Sequence, residues 1–542
     1  MRRLPHFSLV ALALVLTAHV WAAPAIRMVG RAEGEFRDHL WVAWLVQRRV
    51  IDDGALPLFF PLAGFPDGIA LYPLDPLNQA FLLVLAPIVG LLPAMAALAT
   101  ALLWLAGYGG LRLAAACGAG PVASAIAGAL TMLGPPVLGP YVDGQTEAWG
   151  VGWLALLLAE LADPGPWDRR RGLRLGLWGA ALAASCPYQA HGIALLAVPL
   201  AIWRARRAVL WAAIPAALVG AGLAAALWHA EAGGQLESRA DKAGDWPPRT
   251  VIRGIEVAPP LDMLTEGFPT SIGAYERNAR RAPPTTGPRR DVGWALPALV
   301  LAAAALDRRA RWLAGGALLY ASIAVGSARD WDAYTALSGA RIPLPYDLFY
   351  RWFPLGDLAW KPQAYAVPAW VLGVAAVARL PARWLVPAAF AVVVELQAVG
   401  PTPAPLPAVE LAPRPLHAAL AAGEGGVVEF PCRARSRKGV DALPADVYLH
   451  QVHHGRPIGE TFGRRRNKVH QRLLDALAGT LGWPGKDAPA LGPAWSLAAK
   501  AGYTTLLVHT RALWPDEVRA LREVLPGTCE EVDGALVCEI RE

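Results

Sequence analysis

Residues 169–174 read Arg-Arg-Arg-Gly-Leu-Arg and form a short basic turn between two long apolar stretches. Three more turns of this kind follow along the chain. Positive charge is retained on the cytoplasmic side of a membrane protein, so these turns predict which connections lie inside and which lie outside. The arginines of the turns are Arg169, Arg170, Arg171 and Arg174; Arg204, Arg206 and Arg207; Arg308, Arg309 and Arg311; and Arg379 and Arg383.

The composition is that of a polytopic membrane protein. The chain has 542 residues, of which 55% are hydrophobic and only 17% are charged, and its mean hydropathy is +0.35. A soluble protein holds about 25% charged residues. The net charge of +7 comes mainly from the basic turns, because the segment from residue 401 onward is close to balanced. The charge therefore indicates topology and argues against a nucleic-acid partner.

Apolar stretches recur through the first 400 residues and predict about eleven crossings of the bilayer. The N-terminus is predicted to be cytoplasmic, with a cleaved signal peptide as the alternative. Residues 77–91 are short and apolar, and they are predicted to be re-entrant or broken. A second break is predicted at Cys186-Pro187-Tyr188. The outer connections then cover residues 31–93, 229–292 and 329–362.

The chain after residue 400 predicts a small α/β domain over residues 416–542, exported with the outer connections. A proline-rich linker over 401–415 precedes it. Cys529 and Cys538 could bridge a terminal hairpin in an oxidising compartment or remain thiols. No spacing resembles a zinc site. The elements expected in the domain are strands at 426–430, 504–508 and 536–540 and helices at 468–481 and 515–525.

The first outer connection is the most acidic one. Glu35 and Asp38 lie three residues apart directly after the first span, so a helical turn would place both carboxylates on one face at the membrane surface. This pair predicts acid–base chemistry, and an ordinary solvated loop is the alternative. The helical spacing continues to Val50 and predicts a helix in the membrane interface. Its apolar side would carry Leu40, Trp41, Trp44 and Leu45.

Further polar residues are candidates for binding a substrate. Asp75 and Glu147 lie near predicted outer span ends, where an acid also serves as a helix cap or an ion-pair partner. Lys361 precedes a span and could hold a phosphate, with a surface lysine as the alternative. His191 follows the predicted break and could line a cavity or lie in the core. A metal is not predicted at three tail histidines that have no carboxylate or cysteine at ligand spacing, His453, His454 and His470.

Several short runs resemble the GT-C-type integral membrane glycosyltransferases of bacteria, which take sugars from polyprenyl-phosphate donors. The resemblance extends from the first outer connection to the tail, although the paired Asp-Glu of the commonest family pattern is absent from that connection. The runs that carry it are residues 34–41 (GEFRDHLW), 54–59 (GALPLF), 65–68 (FPDG), 75–78 (DPLN), 144–147 (GQTE), 342–346 (IPLPY) and 453–458 (HHGRPI) with Arg464.

This resemblance implies a mainly α-helical GT-C transmembrane domain over residues 1–400, in the bacterial inner membrane, with an extracytoplasmic domain over 416–542. It implies inverting transfer of a hexosyl or pentosyl group from a polyprenyl-phosphate donor to a cell-envelope acceptor. The catalytic acid falls on Asp38 or Glu35, and Asp38 is favoured because it stands directly before the interfacial helix. A divalent Mg or Mn ion could assist. The residues expected to bind substrate are Lys361, Asp75, Glu147, His191 and Tyr346.

Two other functions fit the same pattern. A transporter or flippase of lipid-linked sugars predicts internal repeats and several ionisable groups at the bilayer midplane, and the sequence has no obvious repeat. A non-catalytic scaffold on the same fold predicts that Asp38 and Glu35 can be replaced together without loss of function.

Overall fold

The computed structural model describes residues 4–31, 34–70, 75–205, 208–232, 295–324, 345–346, 348, 362–399, 404–431, 446–459, 467–483, 489–526 and 528–541. The chain divides into two compact units. The helical unit consists of Met1–Phe36, Leu74–Ala224 and Arg239–Glu410. The tail unit consists of Arg37–Pro73, Ala225–Ser238 and Leu411–Glu542.

The chain is mainly helical, with a few short strands. The helices are α1 (Leu4–Leu16), α2 (Ala18–Trp21), α3 (Phe36–Gln47), α4 (Pro76–Val89), α5 (Leu91–Ala116), α6 (Pro121–Leu133), α7 (Pro135–Asp143), α8 (Val151–Ala162), α9 (Arg169–Ser185), α10 (Pro187–Ala205), α11 (Ala208–Ala232), α12 (Ala295–Leu306), α13 (Arg308–Ala324), α14 (Ala366–Val377), α15 (Ala382–Val399), α16 (Pro415–Ala421), α17 (Asp446–His454), α18 (Lys468–Thr480), α19 (Leu491–Lys500) and α20 (Pro515–Val524). The strands are β1 (Arg27–Val29), β2 (Ala408–Glu410), β3 (Gly426–Phe430), β4 (Tyr503–Val508), β5 (Cys529–Val532) and β6 (Ala535–Glu539).

Among the described residues, 3 helical stretches are long and apolar enough to cross a membrane, namely Leu91–Ala116, Pro121–Asp143 and Ala208–Ala226. Other apolar helices, such as α4, α12 and α14, have 10–17 residues. The helices α9 and α13 begin inside arginine clusters, which lowers their mean hydropathy. The prediction of about eleven crossings is therefore not confirmed by length and composition.

Short breaks separate two pairs of neighbouring apolar helices. Helix α4 ends at Val89, Gly90 follows with a φ of 90° that suits glycine best, and α5 begins at Leu91. Helix α9 ends at Ser185 and α10 begins at Pro187. Proline supplies no backbone N–H and has a fixed φ, so it is well suited to the first position of a new helix. The break predicted at Cys186-Pro187-Tyr188 is confirmed. Residues 77–89 form one uninterrupted short helix, so this segment is not broken internally, and its re-entrant course stays a prediction.

Two of the basic turns hold helix ends together. Arg171 is buried and donates to the carbonyl oxygens of Glu160 and Asp163 at 2.5 Å, while Arg174 pairs with the Glu160 carboxylate at 2.9 Å. Arg379 donates to Asp307 at 2.8 Å. These arginines therefore satisfy carbonyl and carboxylate oxygens at the ends of neighbouring helices, as well as carrying the charge that predicts topology.

A short ladder ties the two ends of the helical unit together. Strand β1 pairs antiparallel with β2, with Met28 opposite Val409. The ladder therefore brings together the chain that precedes α3 and the chain that follows α15.

The tail unit contains a sheet with the strand order β3-β4-β6-β5. Strands β3 and β4 are parallel, and the other neighbours are antiparallel. The predicted strands and helices of the tail are present within a residue or two at each end. Cys529 and Cys538 form a disulfide between β5 and β6. Disulfides persist in oxidising compartments, which agrees with a tail on the outer side.

The first outer connection folds against the tail domain within the tail unit. Helix α3 is present, but its apolar side, predicted to face the membrane interface, is largely buried in protein, with Leu40, Trp41 and Leu45 at most 2% exposed. The Trp41 ring lies 4.3 Å from the Tyr448 ring, and its indole N–H donates to Gln451 Oε1 at 2.5 Å. An amphipathic face is attracted to any apolar surface, and here that surface is the tail.

Candidate active site

A buried polar network surrounds Asp75, the residue that precedes α4. Asp75 is 1% exposed, and its carboxylate accepts from Asn78 Nδ2 at 3.3 Å and from Gln79 Nε2 at 2.8 Å. Its Oδ2 also accepts from the Thr146 hydroxyl, and Asn78 Nδ2 donates to the Thr146 carbonyl at 2.9 Å. Buried carboxylates are stable only when donors surround them. Asp75 therefore fixes the position of Thr146, and with it the turn that carries Glu147, the residue after Thr146.

Glu147 lies beside Glu35. The two side chains each place a carboxylate oxygen within 4.8 Å of the other. Glu147 is 2% exposed, whereas Glu35 is exposed. Two carboxylates this close repel each other unless a cation or a proton lies between them. The pair therefore places one buried and one accessible carboxyl group side by side.

Two glycines allow these segments to approach. A Cβ on Gly34 would lie 2.6 Å from the Asp143 carbonyl oxygen, and a Cβ on Gly144 would lie 2.2 Å from Phe36 Cβ. Gly144 also has a φ of 72°, which ends α7 in the left-handed conformation. Arg31 holds the same contact, since its Nε lies 2.9 Å from Asp143 Oδ1. Two runs quoted for the family resemblance, residues 34–41 and 144–147, thus meet in the structure.

The acid pair suits a hard divalent cation. Mg²⁺ and Mn²⁺ prefer oxygen ligands, and Mg²⁺ is commonly held by one or two carboxylates, with waters and substrate phosphate completing its shell. Glu35 and Glu147 supply such a pair. These residues therefore fit the divalent ion considered from the sequence, and they would be its ligands.

Comparison with known proteins identifies the fold. No protein-family model matches the sequence, and no protein of curated function matches it. The crystal structure of the Archaeoglobus fulgidus oligosaccharyltransferase in complex with Zn and sulfate matches 94% of this chain and 68% of its own, with a TM-score of 0.53 and 12% identity. The cryo-EM structure of the arabinofuranosyltransferase AftD from Mycobacteria matches 100% of this chain and 42% of its own, with a TM-score of 0.56 and 16% identity. This chain has the GT-C fold. It spans less than half of AftD.

Within the GT-C fold, the other candidate residues take different positions. Asp38 lies in the first turn of α3. Tyr346 is fully buried, and His191 is half-buried in α10. The neighbouring Gly192 packs so closely that a Cβ there would lie 2.2 Å from the Tyr365 ring, and its carbonyl oxygen accepts from Tyr320 at 3.2 Å. Two residues, Lys361 and Arg464, lie outside the described residues.

The sequence missed several residues that shape this site. Asn78 and Thr146 contact Asp75, and Arg31 contacts Asp143. The main sequence criterion used for candidate residues was an acid near a span end, and none of these three residues is an acid. The usable signal is glycine, because Gly34 directly precedes Glu35 and Gly144 lies three residues before Glu147. Glycine alone does not reveal which distant segment it will approach.

The tail histidines form a cluster of their own. His417 stacks on His453 with 4.4 Å between ring centroids, and His454 accepts from the Arg456 N–H through Nδ1 at 3.0 Å. Burial lowers the pKa of His454 from 6.5 to about 4, with smaller contributions from His450, Arg456 and His453 opposed by Glu429. Burial likewise lowers the pKa of His417 to about 3. These rings are therefore neutral at neutral pH.

We expect the tail unit to lose stability as the pH falls from 7 to 5. A histidine whose pKa is lowered by folding binds protons more tightly when unfolded, so its stabilising effect is complete above pH 6.5 and is lost toward pH 4. His454 alone should account for roughly 2 kcal/mol at pH 5. Hydrogen exchange of residues 446–459 as a function of pH measures this loss. His454→Asn should flatten the dependence, and an unchanged profile in that variant would contradict the assignment to His454.

Proposed function

We propose that this protein is a membrane glycosyltransferase that moves a sugar from a polyprenyl-phosphate donor to a cell-envelope acceptor on the extracytoplasmic face. The observation that carries the proposal is the pairing of Glu35 with Glu147 in a chain of GT-C fold. The pair joins the end of the first span to the turn after α7, and the Asp75 network holds that turn rigidly. A divalent cation held by this pair would supply the positive charge that stabilises a departing phosphate.

The proposed reaction is a single displacement with inversion. The acceptor hydroxyl oxygen attacks the anomeric carbon as the bond from that carbon to the phosphate oxygen breaks. The acceptor proton passes to a carboxylate, and polyprenyl phosphate leaves with the electron pair of the broken bond. Asp38 is the proposed base, as the family resemblance implies, and Glu35 is the alternative.

The remaining roles concern the leaving phosphate. Glu35 and Glu147 would hold a divalent cation, which, when bound, supplies positive charge for the phosphate oxygens. Lys361 would add a point charge on the same group. Asp75 is a positioning residue in this proposal, because its contacts orient Thr146 and the turn rather than a substrate. The proposed role of the tail is to recognise the acceptor.

The deciding experiment uses the purified full-length protein in lipid vesicles with radiolabelled polyprenyl-phosphate sugars and an envelope extract as acceptor. The proposal expects labelled acceptor to form with the native protein and not with the Asp38→Ala/Glu35→Ala double variant. Asp52→Asn is the matched control, because Asp52 is exposed in the same connection and pairs only with Arg48 at 2.7 Å among the contacts described for it. Label that crosses the bilayer on unaltered lipid would indicate a flippase. Full activity of the double variant would exclude both proposed bases.

A further inference from the structure

Three side chains of the tail unit converge at one end of its sheet. Glu429, His450 and His509 each offer a ligand atom, and these atoms lie within 4.8 Å of one another. Glu429 lies in β3 opposite Leu507 of the parallel strand β4, and His509 follows β4 directly. His450 lies in α17. Side chains at the carboxyl ends of parallel strands meet in this way in many α/β binding sites.

The hydrogen bonds of the group leave one oxygen of Glu429 unsatisfied. Glu429 Oε2 lies 2.9 Å from His450 Nδ1 and 2.7 Å from His509 Nε2. The side chain of Glu429 is 1% exposed, and its Oε1 is buried with no hydrogen-bond partner among the residues described. A buried carboxylate oxygen without a donor costs free energy. A cation between the three side chains would satisfy both oxygens.

The neighbouring Arg414 defines the protonation of His450. Its guanidinium lies 2.9 Å from His450 Nε2. Arginine can only donate, so Nε2 accepts and the single ring proton is on Nδ1, facing Glu429. With this arrangement the His450 Nδ1–H donates to Glu429 Oε2 at 2.9 Å.

We propose that Glu429, His450 and His509 form a binding site for a divalent transition-metal ion, with Zn²⁺ as the best match. Two imidazoles and one carboxylate are a common zinc donor set and leave a fourth position for water. Nitrogen donors make Mg²⁺ and Ca²⁺ poor occupants. Ligands bound at about 2.0–2.1 Å to a tetrahedral ion stand roughly 3.3 Å apart, so the rings must retreat from Glu429 by about half an ångström.

Arg414 opposes the metal in this site. A metal on Nδ1 leaves the His450 proton on Nε2, where it would face the guanidinium donor. Arg414 must then turn away, and it can, because its side chain is 42% exposed and its Nε lies 3.6 Å from Asp533 Oδ2. Glutamine at this position could accept from Nε2–H and hold the ring in its metal-binding tautomer. Arg414 therefore competes with the metal by holding the His450 proton on Nδ1, so removing the arginine side chain should strengthen metal binding.

The test uses the full-length protein, purified without a histidine tag and stripped with a chelator. Zn²⁺ is titrated calorimetrically, and Co²⁺ is added separately to observe the visible bands of a tetrahedral complex. We expect Glu429→Gln and His509→Asn each to weaken Zn²⁺ binding by about 100-fold, and Arg414→Gln to strengthen it by about tenfold. His453→Asn, which lies in the same helix outside the group, is the matched control and should bind as the native protein does.

Three results would overturn the assignment. The native protein could fail to bind Zn²⁺, binding could survive in both ligand variants, or binding could be lost in His453→Asn alone. His509→Asn also guards against a folding artefact, because His509 is near the surface with 13% of its side chain exposed. None of these readouts involves glycosyl transfer, so they do not depend on the proposed function.

Discussion

Glu147→Gln is expected to lower the rate of sugar transfer by about 10²- to 10⁴-fold while leaving the protein folded. The substitution keeps the shape of the side chain and removes the charge that Glu147 contributes beside Glu35. In the proposed mechanism, the pair without that charge would hold a divalent cation less tightly. Initial rates with a radiolabelled polyprenyl-phosphate sugar, measured over a range of Mg²⁺ and Mn²⁺ concentrations, test this expectation.

A second buried acid of the helical unit serves as the control. Glu160 is 8% exposed and accepts from Arg174 at 2.9 Å, at the end of α8 opposite to the end that Glu147 precedes. Glu160→Gln should leave the rate of sugar transfer within a factor of about two, because Glu160 pairs with Arg174 and has no part in the proposed cation site. If Glu147→Gln transferred sugar as fast as Glu160→Gln, the acid pair would have no part in catalysis.

Arg456→Met is expected to destabilise the tail unit by about 3–5 kcal/mol. The guanidinium is 6% exposed and donates to the carbonyl oxygens of Gly425, Leu420 and Glu424 at 3.1, 3.0 and 2.5 Å. It also donates to the hydroxyl oxygens of Thr504 and Thr505 at 2.7 and 2.9 Å. Methionine fills the volume but leaves these acceptors buried without donors, and each such group costs about 1–3 kcal/mol.

Hydrogen exchange at β3 and β4 measures the loss within the tail unit itself. Arg511→Met is the matched control, because Arg511 is 75% exposed and its closest carboxylate contact, with Asp533, is 4.0 Å long. That variant should change stability by less than about 0.5 kcal/mol. Equal protection in the two variants would show that Arg456 does not hold the strands together.

Elements that are encoded locally could be predicted in both units. In the tail unit, alternating and apolar runs identified β3 and β4. In the helical unit, the proline at the start of α10 identified the break after Ser185. Such signals lie within a few residues of the feature they predict. The GT-C resemblance added the fold, which the structural comparison bears out at 12% to 16% identity.

The site could be predicted only in part. Glu35 and Glu147 were each singled out, but nothing in the spacing shows that residues more than a hundred positions apart share one site. Helix α3 was predicted correctly as a helix and wrongly as a membrane-surface element, because an amphipathic face does not reveal whether lipid or protein will cover it. The group of Glu429, His450 and His509 was not predicted, because its members come from three separate elements and their spacing in the sequence does not show that they meet.

The bond from Trp41 to Gln451 joins residues 410 positions apart. A ribosome makes the first outer connection early and the tail last, at about 5–20 residues per second. During most of the synthesis of the chain, the tail residues that pack on Trp41 have therefore not yet been made, and Trp41 remains uncovered by them. Truncation before residue 451 should therefore leave Trp41 of α3 without its partner in the tail.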